Sequence, residues 1–575
     1  MNVAEQLVET LQAAGVRRIY GLVGDSLNPV VDAIRQSDID WVHCHNEEAA
    51  AFAAGAEALL TGKLAVCAGS CGPGNTHLIQ GLYDANRNGA PVLAIASHIP
   101  TAQIGTGFFQ ETHPEHLFAE CSEFREMVSN PDQMPRLLHI AMQTALGRGG
   151  VSVLVLPGDV AHRHATKPTR ASALVGPTPV VQPPAEQVRQ LADAMNAAAK
   201  VTLFVGAGVR GAHSQVMALA ETLLSPVGHA LGGKEWIQYD NPYEVGMSGL
   251  LGYGAAYEAC HEADLLVLLG TDFPYDTFLP QQHTAQVDHD PTKLGRRSAV
   301  DVIVQGDVGA TIGALLPLLH RKTDRTFLET MLRRHLSALE HVVSVYTKDI
   351  SDRTPIHPEY VAAVLDQVAD DDAVFTVDTG MCNVWAARYL TPNGRRRVIG
   401  SWRHGTMANA LPQAIGAQSA FPRRQVVSMS GDGGLAMLLG ELLTVRRQHL
   451  PVKIVVFNNS SLGMVKLEML VDGIPDYGTD HAPVNYAAIA EAVGIPAIRV
   501  EKPADVRDGL ERGLGRSGPA LIEVITDANA LSLPPRLNLE QVRGFALAAG
   551  KIMLGGGVGK MIDLARSNLR NLPRF

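Results

Sequence analysis

The sequence predicts an α/β protein with three doubly wound parallel-sheet domains and a short C-terminal tail. Two observations carry this prediction. At 575 residues the chain is too long for a single hydrophobic core. Short apolar runs alternate with helical patterns, and their hydrophobicity is continuous, as expected for parallel strands covered on both faces. The runs that read as buried strands are Lys63–Ala68, Pro91–Ser97, Val151–Leu156, Val201–Val205, Leu265–Leu269, Gln425–Ser430 and Val452–Phe457.

Two stretches of different composition divide the chain. Lys167–Glu186 contains five prolines in a polar setting, and Leu319–Pro355 is a charged helical region that ends in Asp-Arg-Thr-Pro. We therefore predict an N-terminal domain at residues 1–175, a middle domain at 186–335, a third domain at 356–532 and a tail at 533–575.

The bulk composition is that of a packed globular protein, with 46% hydrophobic and 18% charged residues. A net charge of -10 gives no electrostatic reason to expect a nucleic acid partner. Of the six cysteines, the closest pair is Cys67 and Cys71, and no second pair completes a zinc site, so we expect buried thiols in a reducing compartment. The N-terminus has no signal-peptide pattern, and no apolar run reaches the roughly 18 residues of a membrane span. We expect a cytoplasmic protein.

A cofactor site is predicted where two strands of one βαβ unit end. Gly431-Asp432-Gly433-Gly434 follows the strand Gln425–Ser430, a helix is predicted over Ala436–Gln448, and the next strand runs into Asn458-Asn459. One carboxylate and one amide oxygen thus meet at the carboxyl edge of the sheet, where open α/β folds bind ligands. Mg²⁺ prefers such hard oxygen ligands, and the glycines let backbone N–H groups approach a diphosphate.

The segment from Gly431 to Asn459 resembles the thiamine diphosphate signature. The resemblance implies that Asp432, Asn459 and the main-chain carbonyl of Ser461 hold Mg²⁺. It also implies that neighbouring residues contact the cofactor, namely Gly433, Gly434, Ser460, Leu462, Gly463, Met464 and Val465.

Glu47 is the candidate for the carboxyl group that a thiamine cofactor needs beside its aminopyrimidine ring. It begins a predicted helix of small residues, Glu47–Gly55, and burial there would raise its pKa. An acid that only stabilises a helix N-terminus is the alternative. The segment is similar to the family's glutamate-bearing helix, which favours the catalytic role, although relatives often have His where this chain has Asn46.

The run from Gly405 and Thr406 through Met407 to Ala410 resembles the pyrimidine-binding loop of the same family. In that loop a bulky apolar side chain, here Met407, supports the bent form of the cofactor. A methionine beside small residues that only fills the core is the alternative.

The middle domain contains a strand, Val201–Val205, followed by the glycine pattern G-x-G-x-x-G from Gly206 to Gly211. No acidic residue stands about twenty positions on to bind a ribose, so a plain NAD site is not expected. Other segments, together with Ala65–Gly74 and Phe108–Pro114, resemble the thiamine-diphosphate- and FAD-dependent pyruvate oxidase family, in particular its quinone-reducing members. The resemblance covers essentially the whole chain. It implies FAD contacts at Gly249, Leu250, Leu251, Gly252, Thr271, Asp272, Phe273, Pro274, Tyr275, Asp288 and Asp290.

Three further positions bear on the substrate pocket. Met464 stands where quinone-reducing relatives have an aromatic residue, which leaves substrate preference open. Phe109 is a candidate wall between the thiamine and flavin sites, with core packing as the alternative. Glu468 either faces the substrate or is an exposed helix acid.

The tail from Val558 predicts a cationic amphipathic helix. Its apolar stripe is Val558, Met561, Ile562, Ala565, Leu569 and Leu572, and Lys560, Arg566, Arg570 and Arg574 lie mostly elsewhere. Such a helix can rest on an anionic membrane or cover the protein's own core. The resemblance favours membrane docking.

The resemblance implies oxidative decarboxylation of pyruvate to acetate and carbon dioxide, with electrons passing through FAD to ubiquinone. The expected enzyme is a homotetramer that associates peripherally with the inner face of the membrane. An acetolactate-synthase-like carboligase with structural FAD and a soluble oxygen-dependent pyruvate oxidase remain alternatives.

Overall fold

The computed structural model describes residues 1–166, 173–174, 180–348, 350, 354–531, 539–554 and 558–568, with the backbone alone for residues 539–542 and 558. Most of the predicted linker Lys167–Glu186 lies outside this set, as do positions 175 and 532, so the domain borders stay a prediction. The described residues form three α/β units with one sheet each. The predicted fold class is confirmed.

The N-terminal unit is a six-stranded sheet in the order β2-β1-β3-β4-β6-β5, and every strand pair is parallel. Its strands are β1 Arg18–Gly21, β2 Asp40–His43, β3 Ala65–Gly69, β4 Val92–His98, β5 Phe124–Met127 and β6 Val151–Pro157. Its helices are α1 Val3–Ala13, α2 Asn28–Arg35, α3 Glu47–Thr61, α4 Pro73–Asn88, α5 Pro114–Leu117, α6 Met134–Arg148 and α7 Gly158–His162. Successive residues of β3 enter different core clusters, because both faces of the sheet are covered.

The middle unit is a seven-stranded sheet in the order β10-β9-β8-β7-β11-β12-β13. Its strands are β7 Val201–Val205, β8 Val227–His229, β9 Glu244–Met247, β10 Tyr253–Gly254, β11 Leu265–Leu269, β12 Thr284–Asp288 and β13 Val302–Gln305. Its helices are α8 Ala185–Ala197, α9 His213–Leu223, α10 Lys234–Ile237, α11 Ala256–Glu262 and α12 Val308–Leu315. Unlike the prediction, the sheet is not wholly parallel: β10 pairs antiparallel with β9, since only a short connection over residues 248–252 joins them.

The third unit follows α13 Thr326–Ala338 and is a parallel sheet in the order β15-β14-β16-β17-β19-β18. Its strands are β14 Val374–Val377, β15 Arg397–Gly400, β16 Val426–Gly431, β17 Lys453–Asn458, β18 Ala497–Val500 and β19 Ala520–Ile525. Its helices are α14 Pro358–Val368, α15 Met381–Tyr389, α16 Ala410–Ala420, α17 Asp432–Met437, α18 Glu441–Arg447, α19 Gly463–Val471, α20 Tyr486–Ala492 and α21 Val506–Leu514, and the tail forms α22 Leu539–Leu554 and α23 Val558–Asn568.

The first and third sheets have the same strand order, and their units share one hydrophobic core. Helices α3 and α16 cross at this junction so closely that a Cβ atom on Gly416 would lie 2.0 Å from the carbonyl oxygen of Ala53. The small residues of α3 that the sequence analysis noted therefore serve a close helix–helix approach. This crossing ties the helix that begins at Glu47 to the third unit.

The predicted helix Ala436–Gln448 is wrong in its bounds. The chain is helical from Asp432 to Met437, leaves the helical conformation at Leu438, and resumes at Glu441. Leu438 is buried against Ala49, Phe52 and Ala408. A tertiary contact with the N-terminal unit thus accompanies a break that the local pattern does not reveal.

Candidate active site

The carboxyl edge of the third sheet brings together the ends of β14, β16 and β17. The strand order reverses between β14 and β16, because β14 connects to β15 on one side and the chain then returns to β16 on the other. Ligands of open α/β sheets bind at such a reversal. Asp378 follows β14, Asp432 follows β16, and Asn459 follows β17.

Asp432 is the first residue of α17 and is 4% exposed. One carboxylate oxygen accepts the Gly433 N–H at 2.9 Å, and the main-chain carbonyl accepts the Tyr486 hydroxyl at 3.0 Å. Burial raises the pKa of Asp432, while N–H groups of Gly433 and Ser460 oppose the rise. A nearby cation would favour the ionised carboxylate, which suits a hard metal ligand.

The segment that follows β17 is held from two sides. The amide oxygen of Asn459 accepts the Ser461 N–H at 2.9 Å. The Ser460 carbonyl accepts the His481 N–H at 2.8 Å, and Ser461 pairs with Asp480 in an isolated bridge. These bonds order the backbone that carries the predicted metal-ligating carbonyl.

The glycines at this edge make room for neighbouring groups. A Cβ atom on Gly434 would lie 1.9 Å from a carboxylate oxygen of Asp378. A Cβ atom on Gly433 would lie 2.9 Å from Leu462 and 3.3 Å from the terminal methyl of Met407. The structure therefore places Asp432, Gly433, Gly434, Leu462 and Met407 in one cradle.

Several buried polar atoms on the segments that follow β14 and β17 have no hydrogen-bond partners among the described residues. They are the Thr379 hydroxyl, the Asn383 amide oxygen, the Ser461 hydroxyl and one carboxylate oxygen of Asp378. Buried polar groups are normally satisfied, so their number here indicates missing partners. A diphosphate with its cation would supply acceptors for the hydroxyls and a counter-charge for the carboxylates, so the residues present fit Mg²⁺ and thiamine diphosphate.

Asp378, Thr379 and Asn383 were missed by the sequence reasoning. Asp378 is 1% exposed, and burial raises its pKa to about 7. Asp378-Thr379-Gly380 comes directly after β14 and repeats the Asp-x-Gly pattern at the end of β16. That repeat is the signal that could have identified them.

The predicted pyrimidine-binding loop adjoins both units. Gly405 and Ala408 have positive φ angles of 74° and 70°. The Thr406 N–H donates to the Ser401 hydroxyl at 3.1 Å, and the Gln80 amide donates to the Thr406 hydroxyl at 2.8 Å. The loop is thus fixed between the third unit and α4.

Glu47 is the first residue of α3 and is 4% exposed. One carboxylate oxygen lies 3.0 Å from Nδ1 of His77, which is half exposed, and the other would lie 2.9 Å from a Cβ atom on Gly74. Asn46 is the N-cap of α3, and its side chain accepts the Glu48 N–H at 2.8 Å. The departure from the family pattern at Asn46 therefore has a structural role. Among the described contacts none joins Glu47 directly to Asp432 or Asn459.

His77 is a second residue that the sequence reasoning missed. It lies in the first turns of α4, four residues after Pro73, and faces the candidate activating carboxylate. The only local signal was a histidine near a helix start, which is too common to be informative.

The predicted FAD segments meet at the carboxyl edge of the middle sheet. A Cβ atom on Gly249 would lie 3.1 Å from the ring of Phe273 and 3.4 Å from that of Tyr275. Ser248, the residue before this loop, keeps a buried hydroxyl without a partner among the described residues. The close packing of aromatic rings against Gly249 and the unsatisfied hydroxyl of Ser248 fit a polar cofactor at this edge of the sheet.

Other predicted FAD contacts differ in their environment. Asp288 is 4% exposed and accepts the Asp290 N–H at 2.9 Å. The Asp272 carboxylate is already bound by Arg296 and Arg297 at 3.1 and 3.2 Å. Leu250 and Pro274 are exposed, Thr271 is buried, and a Cβ atom on Gly252 would lie 2.7 Å from the Met247 carbonyl oxygen.

The two predicted cofactor edges approach each other near α19. Leu251 of the middle unit and Met464 at the start of α19 pack against the same hydrophobic cluster of the third unit. The pKa of Tyr275 is raised by burial and by the neighbouring carboxylate of Glu468. Gly463 is buried, whereas Val465 and Glu468 are exposed.

Phe109 is 77% exposed in the single chain. It lies in the loop that precedes α5, where the Glu111 carboxylate accepts the N–H groups of Gly107 and Phe108 at 2.7 and 3.1 Å. Neither core packing nor a pocket within one chain accounts for this side chain.

The described part of the tail lies on the third unit. Leu564 of α23 is 5% exposed and shares a cluster with Leu467 and Leu470 of α19, while Met561 is partly buried there. Ile562 and Ala565 of the predicted stripe are exposed, so these two positions do not cover the protein's own core. The side of α23 that carries Met561 and Leu564 is covered by the chain's own α19. Leu569 and Leu572 lie outside the described residues.

The six cysteines are all free and buried, as predicted. In the described part of the chain, no helix is both long and apolar enough to cross a bilayer.

Comparison with protein families identifies all three units. Models of thiamine pyrophosphate enzymes match this chain as the N-terminal TPP binding domain at residues 1–117, the central domain at 188–315 and the C-terminal TPP binding domain at 378–524. The first and third models cover the two units that contain Glu47 and Asp432.

Three curated relatives match nearly the whole chain. A protein of Bacillus subtilis (strain 168), provisionally named a thiamine pyrophosphate-containing protein, YdaP, is 35% identical over 94% of each chain. The pyruvate oxidase of Lactiplantibacillus plantarum is 29% identical over 94% of this chain and 91% of its own. The acetolactate synthase isozyme 2 large subunit of Escherichia coli (strain K12) is 32% identical over 92% of this chain and 96% of its own. The chain therefore belongs to the thiamine pyrophosphate enzyme family, in the group that includes pyruvate oxidases and acetolactate synthases.

Proposed function

We propose that this enzyme oxidatively decarboxylates pyruvate. Pyruvate and water become acetate and carbon dioxide, and two electrons pass through FAD to ubiquinone at the membrane. Thiamine diphosphate, held through Mg²⁺, supplies the electron sink for the loss of carbon dioxide when it is bound. The observation that carries the proposal is the proximity of the two predicted cofactor edges.

Two observations indicate this proximity. Leu251 and Met464 pack on one hydrophobic cluster, and Glu468 is close enough to Tyr275 to raise its pKa. Electrons pass between bound groups only over short separations, so a thiamine site that adjoins the flavin segments favours a redox role for FAD.

The chain's own residues take distinct parts in this proposal. Asp432 and the amide oxygen of Asn459 hold the metal, and Met407 supports the cofactor from the side of Gly433. Glu47 holds a proton at the aminopyrimidine ring from a buried position. His77, half exposed at 3.0 Å from Glu47, exchanges protons between that carboxyl group and solvent.

The assembly and the membrane contact are also proposals. The exposed Phe109 would face a second subunit of a homotetramer, because a large apolar side chain at 77% exposure is suited to an interface. The lipid contact is assigned to exposed apolar side chains of the tail, of which only Ile562 belongs to the predicted stripe. These side chains are Leu547, Met553, Leu554 and Ile562.

The test is to mix the protein anaerobically with pyruvate, thiamine diphosphate and Mg²⁺ and to follow the visible absorbance of the flavin. We expect rapid bleaching that requires thiamine diphosphate and is reversed by a soluble ubiquinone analogue. Glu47→Gln should abolish the bleaching, whereas the matched variant Glu48→Gln, one residue along the same helix, should retain it. Carbon dioxide release with a persistently yellow flavin would refute the oxidative route.

The two alternatives predict different products. An acetolactate-synthase-like carboligase joins two molecules of pyruvate and leaves the flavin oxidised, so acetolactate would accumulate. A soluble oxygen-dependent oxidase consumes oxygen and phosphate, releases acetyl phosphate and does not respond to lipid vesicles. Product analysis of the same reaction mixture separates all three.

A further inference from the structure

Glu441 is a buried carboxyl group of the third unit that contacts the segment leading into Glu47. It is 1% exposed at the start of α18. One of its oxygens accepts the His45 N–H at 3.0 Å, and the other accepts the Thr444 hydroxyl at 2.6 Å. Nearly 400 residues separate Glu441 from His45 in the sequence, so only the fold brings them together.

The contact closes into a ring. Oγ1 of Thr444 lies 2.8 Å from Nδ1 of His45. Because the Thr444 hydroxyl proton is directed to Glu441, Nδ1 of His45 carries the proton of this bond. The pKa of His45 is lowered by partial desolvation and by Arg447. Helix α18 therefore holds His45 by both its backbone and its side chain.

The held segment decides where Glu47 lies. Cys44, His45 and Asn46 join the end of β2 to α3, and Asn46 caps the helix whose first residue is Glu47. The Asn46 N–H is also close enough to Glu441 to lower its pKa, against the larger effect of burial, which raises the pKa to about 7. A buried N–H group without an acceptor is costly, so the carboxyl oxygens of Glu441 fix this backbone.

We propose that Glu441 is a positioning residue for Glu47, acting through the backbone of His45 and Asn46 across the junction of the first and third units. This inference rests on the proposed role of Glu47. Among the described residues, no hydrogen bond or ion pair joins Glu441 to the predicted metal ligands. The charge of Glu47 is near enough to raise the pKa of Glu441, and the proposed effect of Glu441 is on the position of Glu47 rather than on cofactor binding. Misplacing a catalytic group by about 1 Å can reduce a rate by about 100-fold.

The test compares Glu441→Ala, Glu441→Gln and Glu441→Asp. Alanine removes every acceptor, and glutamine keeps one oxygen but faces the remaining donors with an NH₂ group. Aspartate keeps both oxygens one methylene further away. The matched control is Asp366→Asn in the third unit. The Asp366 carboxylate also accepts a backbone N–H, from Thr391 at 2.8 Å, and forms an ion pair with an arginine. Among the described residues it contacts none of the predicted site.

We expect kcat for pyruvate to fall about 10- to 100-fold in Glu441→Ala and Glu441→Gln with KM little changed, and Glu441→Asp to recover part of the loss. Hydrogen–deuterium exchange of the peptide covering residues 43–48 should be faster in the first two variants and unchanged in Asp366→Asn. Wild-type kcat and exchange in Glu441→Gln would overturn the inference. If the wild-type enzyme does not act on pyruvate, the proposed function fails, but the exchange measurement still decides the positioning role.

Discussion

Gly416→Ala is expected to destabilise the protein by forcing two helices apart. Gly416 lies in α16, where the added Cβ atom would be 2.0 Å from the backbone carbonyl oxygen of Ala53 in α3. A Cβ atom is not found closer than about 3.0 Å to another heavy atom, and the backbone of Ala53 cannot rotate away as a flexible side chain could. Overpacking of this kind costs about 1–3 kcal/mol, and the gain from replacing a helical glycine offsets up to about 1 kcal/mol. We expect a net loss of about 1–2 kcal/mol.

The matched control is Gly313→Ala in α12, where nothing lies within 4 Å of the added atom. This variant should gain about 0.5–1 kcal/mol from helix propensity alone. Thermal unfolding midpoints measured side by side should therefore move in opposite directions. A Gly416→Ala midpoint at or above that of the wild type would refute the argument that the two units meet through a glycine-dependent crossing.

Asp432→Asn should raise the Mg²⁺ concentration for half-maximal activity at least about tenfold. The control Asp472→Asn, at an exposed carboxylate, should leave this concentration unchanged. Equal Mg²⁺ titrations of the two variants would contradict the metal site. Burial raises the pKa of Asp84 from 3.8 to about 7, so its contribution to stability is full below pH 4 and is lost as the pH rises through 7. Asp84→Asn should therefore reduce the fall in unfolding free energy between pH 5 and 7.5, by up to about 3 kcal/mol in urea titrations, and parallel curves for the two proteins would count against this. The double variant Leu554→Asn, Ile562→Asn loses two exposed apolar side chains of the tail. Its binding to phosphatidylglycerol vesicles should weaken about tenfold or more in a sedimentation assay. Undiminished binding would place the lipid contact elsewhere.

Much of the fold was accessible from the sequence because parallel strands are short, continuous apolar runs bounded by polar turns. The predicted strand Val201–Val205 has the same bounds in the structure, and Gln425–Ser430 differs from β16 by one residue at each end. The bounds of α17 and α18 were not accessible, because the break at Leu438 accompanies a contact with the N-terminal unit.

The candidate site divides in the same way. The pattern at Asp432 and Asn459 was readable because a cation needs oxygen atoms at the ends of neighbouring strands, and strand ends are visible in the sequence. His77 was missed because nothing local distinguishes it, and Asp378 was missed because the repeat of the Asp-x-Gly pattern after β14 was not recognised. Their relevance depends on distances across the sheet edge and between α3 and α4.

By itself, the sequence determined the α/β class, the strands and the glycine-rich turns that carry the predicted metal ligands, because these depend on periodicity and on local backbone geometry. Only the tertiary structure decided which distant groups meet. Glu441 reaches His45, Leu251 joins Met464 on one cluster, and Leu564 rather than Ile562 turns inward from the tail. Burial, hydrogen bonding and pKa depend on neighbours hundreds of residues away, and a linear pattern does not record those neighbours.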